Sequence, residues 1–186
     1  MNTKKIAKLE HPNRVQELNP AGVLEKIGLT SGKVLCDLGA GTGLFSLAAA
    51  AVTGTEVYAL ETDMEMLEYL KAKKSEEQMR NLHLIPVITQ EIPLASNSCD
   101  LILLVTVLHE IEDQPAMLAE IQRIAASQAR VLIIEFYKRE TPLGPPPAHR
   151  MSEERVAELT AQAGWKLEQN LTLGENLYGK LYAVQP

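Results

Sequence analysis

An apolar run at residues 33–38 breaks into Asp37-Leu38-Gly39-Ala40-Gly41-Thr42-Gly43 and then into an alanine-rich stretch, 44–52. Three glycines at alternate positions between a strand and a helix permit a sharp turn. They also let a ligand reach the backbone without meeting a Cβ. A chain organised around such a turn belongs to the α/β class, its strand lying in a sheet covered by helices.

The remaining sequence keeps to that alternation. Asn19-Pro20 pairs an N-cap with a first-turn proline and opens a helix to residue 27. Residues 56–60 form a second strand, and Thr62-x-x-Glu65 reads as a capping box for a helix to about residue 78. Strands follow at 82–87 and 100–105, the latter apolar enough to be buried on both faces, as parallel strands are. Met117, Leu118, Ile121, Ile124 and Ala125 recur at helical spacing over 113–126, ahead of a fifth strand at 131–136. Residues 142–147 contain four prolines, and a helix at 152–163 ends at Gly164. Two last strands, 165–171 and 177–184, flank the turn Gly174-Glu175-Asn176. The expected fold is a Rossmann-like, doubly wound, mostly parallel seven-stranded sheet with an antiparallel C-terminal hairpin. It forms a single domain, 1–186, in which 1–18 and the proline-rich loop 141–151 act as lid-like covers.

Composition narrows the function. The 186 residues are 46% hydrophobic, enough for a core, and the net charge is −6. No basic stripe suited to displacing counterions from phosphates is present. Lys71, Lys73 and Lys74 run into Glu76 and Glu77 and read as a solvated helix face, so nucleic acid is not an expected partner. Cys36 and Cys99 lie in apolar runs, where a free cysteine behaves as a small hydrophobe. No spacing of Cys and His suggests a metal. The longest apolar run, 101–108, is too short for a membrane span, and residues 1–10 lack the apolar stretch of a secretory leader. A cytoplasmic protein is the expectation.

Glu61 closes the second strand roughly 20 residues beyond the glycines, where an acid accepts hydrogen bonds from nucleoside ribose hydroxyls. Two ligands compete for this arrangement. A dinucleotide turn needs Gly or Ala after the third variable position of G-x-G-x-x-G/A, whereas Leu44 stands there. Asp37 would also face a pyrophosphate with like charge. A ligand with an ammonium and no phosphate fits better, and S-adenosylmethionine has that character.

These residues resemble the class I S-adenosylmethionine-dependent methyltransferases, in particular the branch containing quinone-biosynthesis C-methyltransferases (methyltransferase type 11). Residues 37–43 look like that family's first motif and residues 61–67 its second. Ile92-Pro93 to Asp100, Val107-Leu108-His109-Glu110-Ile111, residues 118–124, Gly144-Pro145-Pro146 and Ala163-Gly164-Trp165 are similar to its later segments. The resemblance implies that Asp37 holds the methionine ammonium and that Gly39, Ala40, Gly41 and Gly43 line the cofactor. It further implies Glu61 and Thr62 at the ribose and Val105 at the methionine end. The family often has an acid before Ile92 to read adenine; here Thr89 or Gln90 supplies that hydrogen bond.

Methyl transfer from a sulfonium requires alignment above all, and a base only when the acceptor carries a proton that must leave. His109, at the carboxyl end of the fourth strand, is the candidate base, and Tyr137, just after the fifth, is a second candidate. His149-Arg150 is a further residue pair able to face an acceptor. Glu110 and Glu112 read as solvated charges and Trp165 as core. The fourth strand lacks an Asn/Asp-Pro-Pro-aromatic motif, and the chain has no Pro-Cys nucleophile, which argues against base or amide methylation. A small-molecule acceptor remains. The rival readings are an NAD-binding oxidoreductase and a catalytically silent module that binds S-adenosylmethionine. Leu177, Tyr178, Leu181 and Tyr182 suit an edge strand or a dimer seam, so both monomer and homodimer stay open.

Overall fold

A computed structural model describes residues 2–89 and 91–184. Seven strands form one sheet in the order β3-β2-β1-β4-β5-β7-β6. The pairings β1–β2, β2–β3 and β4–β5 are parallel, while β7 runs antiparallel to both β5 and β6. This is the expected mixed sheet with its antiparallel C-terminal pair. The chain divides into two compact units, residues 1–88 and 89–186.

The first unit carries β1 (Leu35–Leu38), β2 (Val57–Glu61) and β3 (Leu82–Pro86) with five helices: α1 (Thr3–Leu9), α2 (Pro12–Leu18), α3 (Pro20–Lys26), α4 (Leu44–Thr53) and α5 (Met64–Glu76). Every residue of β1 is buried, as an inner parallel strand requires. α4 lays Phe45, Leu47, Ala49 and Ala50 on the sheet and ends at Gly54 in the left-handed conformation that closes many helices. The Asn19 side chain caps α3, as expected. α5 departs from expectation: its N-cap is Asp63, whose carboxylate accepts the Glu65 and Met66 amides, and not Thr62. Thr62 is diverted because its amide and hydroxyl both donate to Glu61.

The second unit carries β4 (Cys99–Val105), α6 (Gln114–Ile124), β5 (Ala125–Phe136), α7 (Glu153–Gln162), β6 (Lys166–Leu173) and β7 (Leu177–Ala183). β5 starts six residues earlier than its apolar stretch suggests, directly at the end of α6. Ala125 pairs with Cys99 and Arg130 with Leu101, so neighbouring strands extend β5 through residues without strand-like patterning. β7 is an inner strand between β5 and β6. Leu177, Tyr178, Leu181 and Tyr182 are therefore buried within the chain, which corrects their expected place at an edge or seam. Both cysteines are buried, and neither forms a disulfide. Among the described residues, no helix is long and apolar enough to cross a membrane, and no cluster of His, Cys, Asp or Glu is suited to a metal.

Candidate active site

In the first unit, four amides of the turn between β1 and α4 have protein acceptors. Gly39 and Ala40 both donate to the Leu60 carbonyl, at 2.8 and 3.0 Å, and Gly43 donates to Ala40 at 2.9 Å. Gly41 donates to Glu61 Oε2 at 2.7 Å. The other oxygen, Oε1, accepts the Thr62 and Asp63 amides, both at 2.9 Å. Gly39, Gly41 and Gly43 all have positive φ, which explains the residue type at each position. Phosphate-binding turns keep such N–H groups free for the anion, whereas these four glycine-turn amides already have protein acceptors.

The charge points the same way. Asp37 is 2% exposed and Glu61 7%. Asp37 Oδ2 accepts the Ser46 hydroxyl at 2.5 Å. Burial pushes the Asp37 carboxyl up to about 6, the Ser46 hydrogen bond pulls it down, and the negative charge of Glu61 raises it further. Among the described residues, no cationic side chain pairs with either acid. Two desolvated carboxylates beside this turn attract a ligand cation and ligand hydroxyls and repel phosphate.

The N-terminal residues, expected as a lid-like segment, are two helices held against this unit. Lys5 Nζ pairs with Asp63 Oδ2 at 2.7 Å. Glu10 pairs with Lys73 at 2.5 Å and accepts the Tyr69 hydroxyl at 3.0 Å. Lys73 is thus engaged, not merely solvated as its run of lysines suggests. Leu9 reaches the glycine turn, since a Cβ on Gly41 would stand 3.3 Å from Leu9 Cδ1. Arg14 donates to the Leu9 carbonyl at 2.9 Å, and burial lowers its pKa to about 10.

In the second unit, β4 ends at Val105 and the chain turns through Thr106, whose φ is +57°. A β-branched residue seldom adopts that conformation, at a cost of order 1–3 kcal/mol, and such strain clusters at functional sites. The turn leads into a short 3₁₀ helix, Leu108–Glu110, and sets His109 against Glu135 on β5. Glu135 is fully buried. Its Oε1 accepts the His109 amide at 3.2 Å and its Oε2 faces His109 Nδ1 at 2.7 Å. The His109 side chain is 13% exposed, and the carboxylate of Glu110, 73% exposed, lies 3.8 Å from Nε2.

The other expected site residues divide. Val105 is half-buried at the end of β4. Thr89 is exposed and donates to the Glu91 carbonyl at 3.5 Å, and Gln90 lies outside the described residues. The Tyr137 ring sits 5.4 Å from that of Tyr178, under the Arg139 guanidinium at 4.7 Å. Arg150, expected as a possible acceptor-facing residue, is instead buried. It donates to the carbonyls of Tyr137, Arg139, Leu143 and Pro145 and to the Thr141 hydroxyl, which ties the proline-rich loop together. Trp165 is buried, as expected of core, and Glu110 is exposed. Ser46 and Glu135 escaped the sequence reading, although each is a polar residue inside an otherwise apolar segment, which is the available signal.

The chain belongs to the S-adenosylmethionine-dependent methyltransferase domain family: a family model described as a methyltransferase domain matches residues 36–133, more than half of the sequence. Among curated proteins it is similar to the demethylmenaquinone methyltransferase of Oceanobacillus iheyensis, 26% identical over 60% of this chain and 48% of that protein. It is also similar to the ubiquinone/menaquinone biosynthesis C-methyltransferase UbiE of Syntrophotalea carbinolica, 28% identical over 66% of this chain and 52% of that one. The chain thus spans about half the length of the curated relatives it matches. Among solved structures, a SAM-dependent methyltransferase from Aquifex aeolicus superposes with a TM-score of 0.91 and 28% identity over 99% of both chains. The [4+2]-cyclase SpnF superposes with a TM-score of 0.79 at 14% identity over 91% of this chain and 80% of its own, a likeness of fold alone.

Proposed function

We propose that this protein transfers a methyl group from S-adenosylmethionine to a small-molecule acceptor, releasing S-adenosylhomocysteine, with residues 1–186 acting as one methyltransferase domain. The observation that carries this reading is the pairing of Asp37 and Glu61. They are two buried carboxylates without a cationic partner among the described residues, set beside a turn in which the Gly39, Ala40, Gly41 and Gly43 amides already have protein acceptors. That arrangement suits a ligand with an ammonium and a ribose and no phosphate, and it disfavours a dinucleotide.

Asp37 receives the ammonium, and a cation there offsets the desolvation that raises its pKa. Glu61 accepts the ribose hydroxyls. A carboxylate oxygen has two lone-pair sites, and Oε2 has the Gly41 amide as its described donor. The bare backbone of Gly39, Ala40, Gly41 and Gly43 lines the ligand, Thr62 borders the ribose, Val105 borders the methionine end, and Thr89 or Gln90 reads the adenine. When bound, the cofactor supplies a methyl group already activated by the sulfonium, so the protein's main task is alignment. His109 is the base for an acceptor that must lose a proton, with Tyr137 as the second candidate. The names of the quinone-biosynthesis relatives support a small aromatic acceptor.

Calorimetry with S-adenosylmethionine, S-adenosylhomocysteine and NAD, on the wild type and Glu61→Ala, tests the proposal. Micromolar binding of both adenosyl ligands, weakened in the variant and absent for NAD, is expected. Binding of NAD alone would overturn it.

A further inference from the structure

We infer that Glu135 is the positioning residue of a His109–Glu135 proton-accepting pair, and that the acceptor class is one that loses a proton on methylation: a phenol or hydroquinone, a carbon acid, or a thiol. The inference rests on the methyltransferase reading for its acceptor, but the pair itself is a matter of geometry.

Glu135 is buried completely in a strand of otherwise apolar residues, Val131 to Phe136, and both of its oxygens engage the same residue. One accepts the His109 amide and the other faces its Nδ1 at 2.7 Å. An ionised carboxylate can only accept, so Nδ1 carries the proton and Nε2 is the basic nitrogen of the ring. Burying a carboxylate merely to hold a loop is costly, and an apolar residue at position 135 would suit β5 better. Thr106 in its disfavoured conformation turns the chain so that the His109 amide and ring meet Glu135 together.

Charged and titratable groups among the described residues face the pair from its own turn and from β7. Glu110 stands 3.8 Å from Nε2 on the same turn. On β7, Tyr178 pairs in register with Glu135 and donates its hydroxyl to the Met151 carbonyl. Burial, first, and the charge of Glu135, next, raise the Tyr178 pKa, so it stays neutral. Tyr137 lies against Tyr178, under Arg139. Glu135 and Glu110 therefore both favour an imidazolium at His109 once a proton arrives.

In the reaction, the acceptor's X–H proton passes to His109 Nε2 as its electron pair forms the bond to the methyl carbon. The carbon–sulfur bond breaks with its pair retained by sulfur. The proton on Nε2 then leaves to water, restoring the neutral ring. An amine that arrives unprotonated needs no such base, which is why the pair selects for acidic acceptors.

Nitrogen NMR of the histidine side chains in the intact protein tests the pair without any acceptor, with His109→Asn identifying the resonance. The expected result is the Nδ1–H tautomer at high pH and an apparent pKa about one unit or more above that in Glu135→Gln, since a facing carboxylate shifts a partner by this order. An Nε2–H tautomer in the wild type, or an unchanged pKa in Glu135→Gln, would overturn the inference; the wild-type tautomer decides even if the variant does not fold. Turnover is then measured with a hydroquinone, a monophenol, an alkylthiol and an alkylamine. Glu135→Gln should lower kcat at least about tenfold with little change in KM and move the acidic limb of the pH profile downward, and Glu135→Asp should restore part of the rate. Turnover of the amine alone, or of none of the four, would refute the acceptor class. Failure of the wild type to bind S-adenosylmethionine would instead refute the methyltransferase reading and leave the NMR result standing.

Discussion

Glu61, the last residue of β2, accepts the backbone N–H of Gly41 at 2.7 Å, so the acid assigned to the ribose also braces the glycine turn. Glu61→Gln can keep the contacts to Thr62 and Asp63 through its carbonyl oxygen but turns an NH₂ toward the Gly41 amide. An unsatisfied buried donor costs about 1–3 kcal/mol. Chemical denaturation should show a loss of that size, and calorimetry should show S-adenosylmethionine affinity reduced about ten- to a hundredfold. An unchanged affinity in a destabilised variant would assign Glu61 a structural role only.

Asp37 predicts a pH dependence with a definite sign. Its folded-state pKa, about 6, lies above the ordinary 3.8, so the folded protein binds the proton more tightly than the unfolded chain does. This group therefore removes stability as pH rises from about 4 through 6, and the full penalty is present above 6. Asp37→Asn should be more stable than the wild type at pH 7, by about 2–3 kcal/mol if the whole shift is expressed, and the advantage should vanish below pH 4. Cofactor binding has the opposite requirement, because the ammonium needs the carboxylate. Affinity for S-adenosylmethionine should rise up to about pH 6 in the wild type and stay weak and flat in Asp37→Asn.

Gly41 and Gly43 should respond differently to the same substitution. A Cβ on Gly43 would lie 2.2 Å from Leu70 Cδ1, and φ there is +82°. Leu70 is fully buried. Gly43→Ala should therefore cost about 2–4 kcal/mol from overpacking and left-handed strain together. At Gly41 the Cβ meets only Leu9 Cδ1, at 3.3 Å, on a half-exposed loop. Gly41→Ala should lose about 1 kcal/mol for its left-handed φ but bind the cofactor much more weakly. Thermal denaturation and calorimetry on the two variants separate fold from ligand contact.

The proline-rich loop should depend on Arg150. Its guanidinium serves four carbonyls and a hydroxyl and lies 5.5 Å from the Phe136 ring. A lysine has three donors on a flexible stem and cannot reproduce that planar fork. Arg150→Lys should lose about 2–4 kcal/mol, since two or more buried carbonyls go unpaired. Limited proteolysis should cut within 139–150 in the variant before it cuts elsewhere. Resistance equal to the wild type would count against this role.

The glycine turn, the alternation of strands and helices, the antiparallel pair at the C-terminus and the acid ending β2 were all readable from residue order. Each depends on local chemistry: a turn that only glycine permits, or a periodicity set within one element. The same holds for the Asn19 cap, whose partner is three residues away. What the local pattern missed was decided by distant partners. Residues 125–130 look unlike a strand, yet neighbouring strands draw them into β5. Thr62 has the form of an N-cap, but the Glu61 carboxylate takes its hydroxyl and Asp63 caps instead. Leu177 to Tyr182 would suit an exposed edge, and only the strand order places them inside.

The sequence by itself determined the class of fold and which residues surround the turn, because glycines, periodicity and an acid at a strand end act over a few positions. Only the tertiary structure decided what those residues face. It placed Ser46 on Asp37, Leu9 near Gly41 and Glu135 on His109, three contacts made by residues that single-segment patterns cannot link. The physical reason is burial. A carboxylate's charge, tautomer-fixing power and pKa are set by which groups replace its water, and that is known only when segments far apart in the chain have packed together.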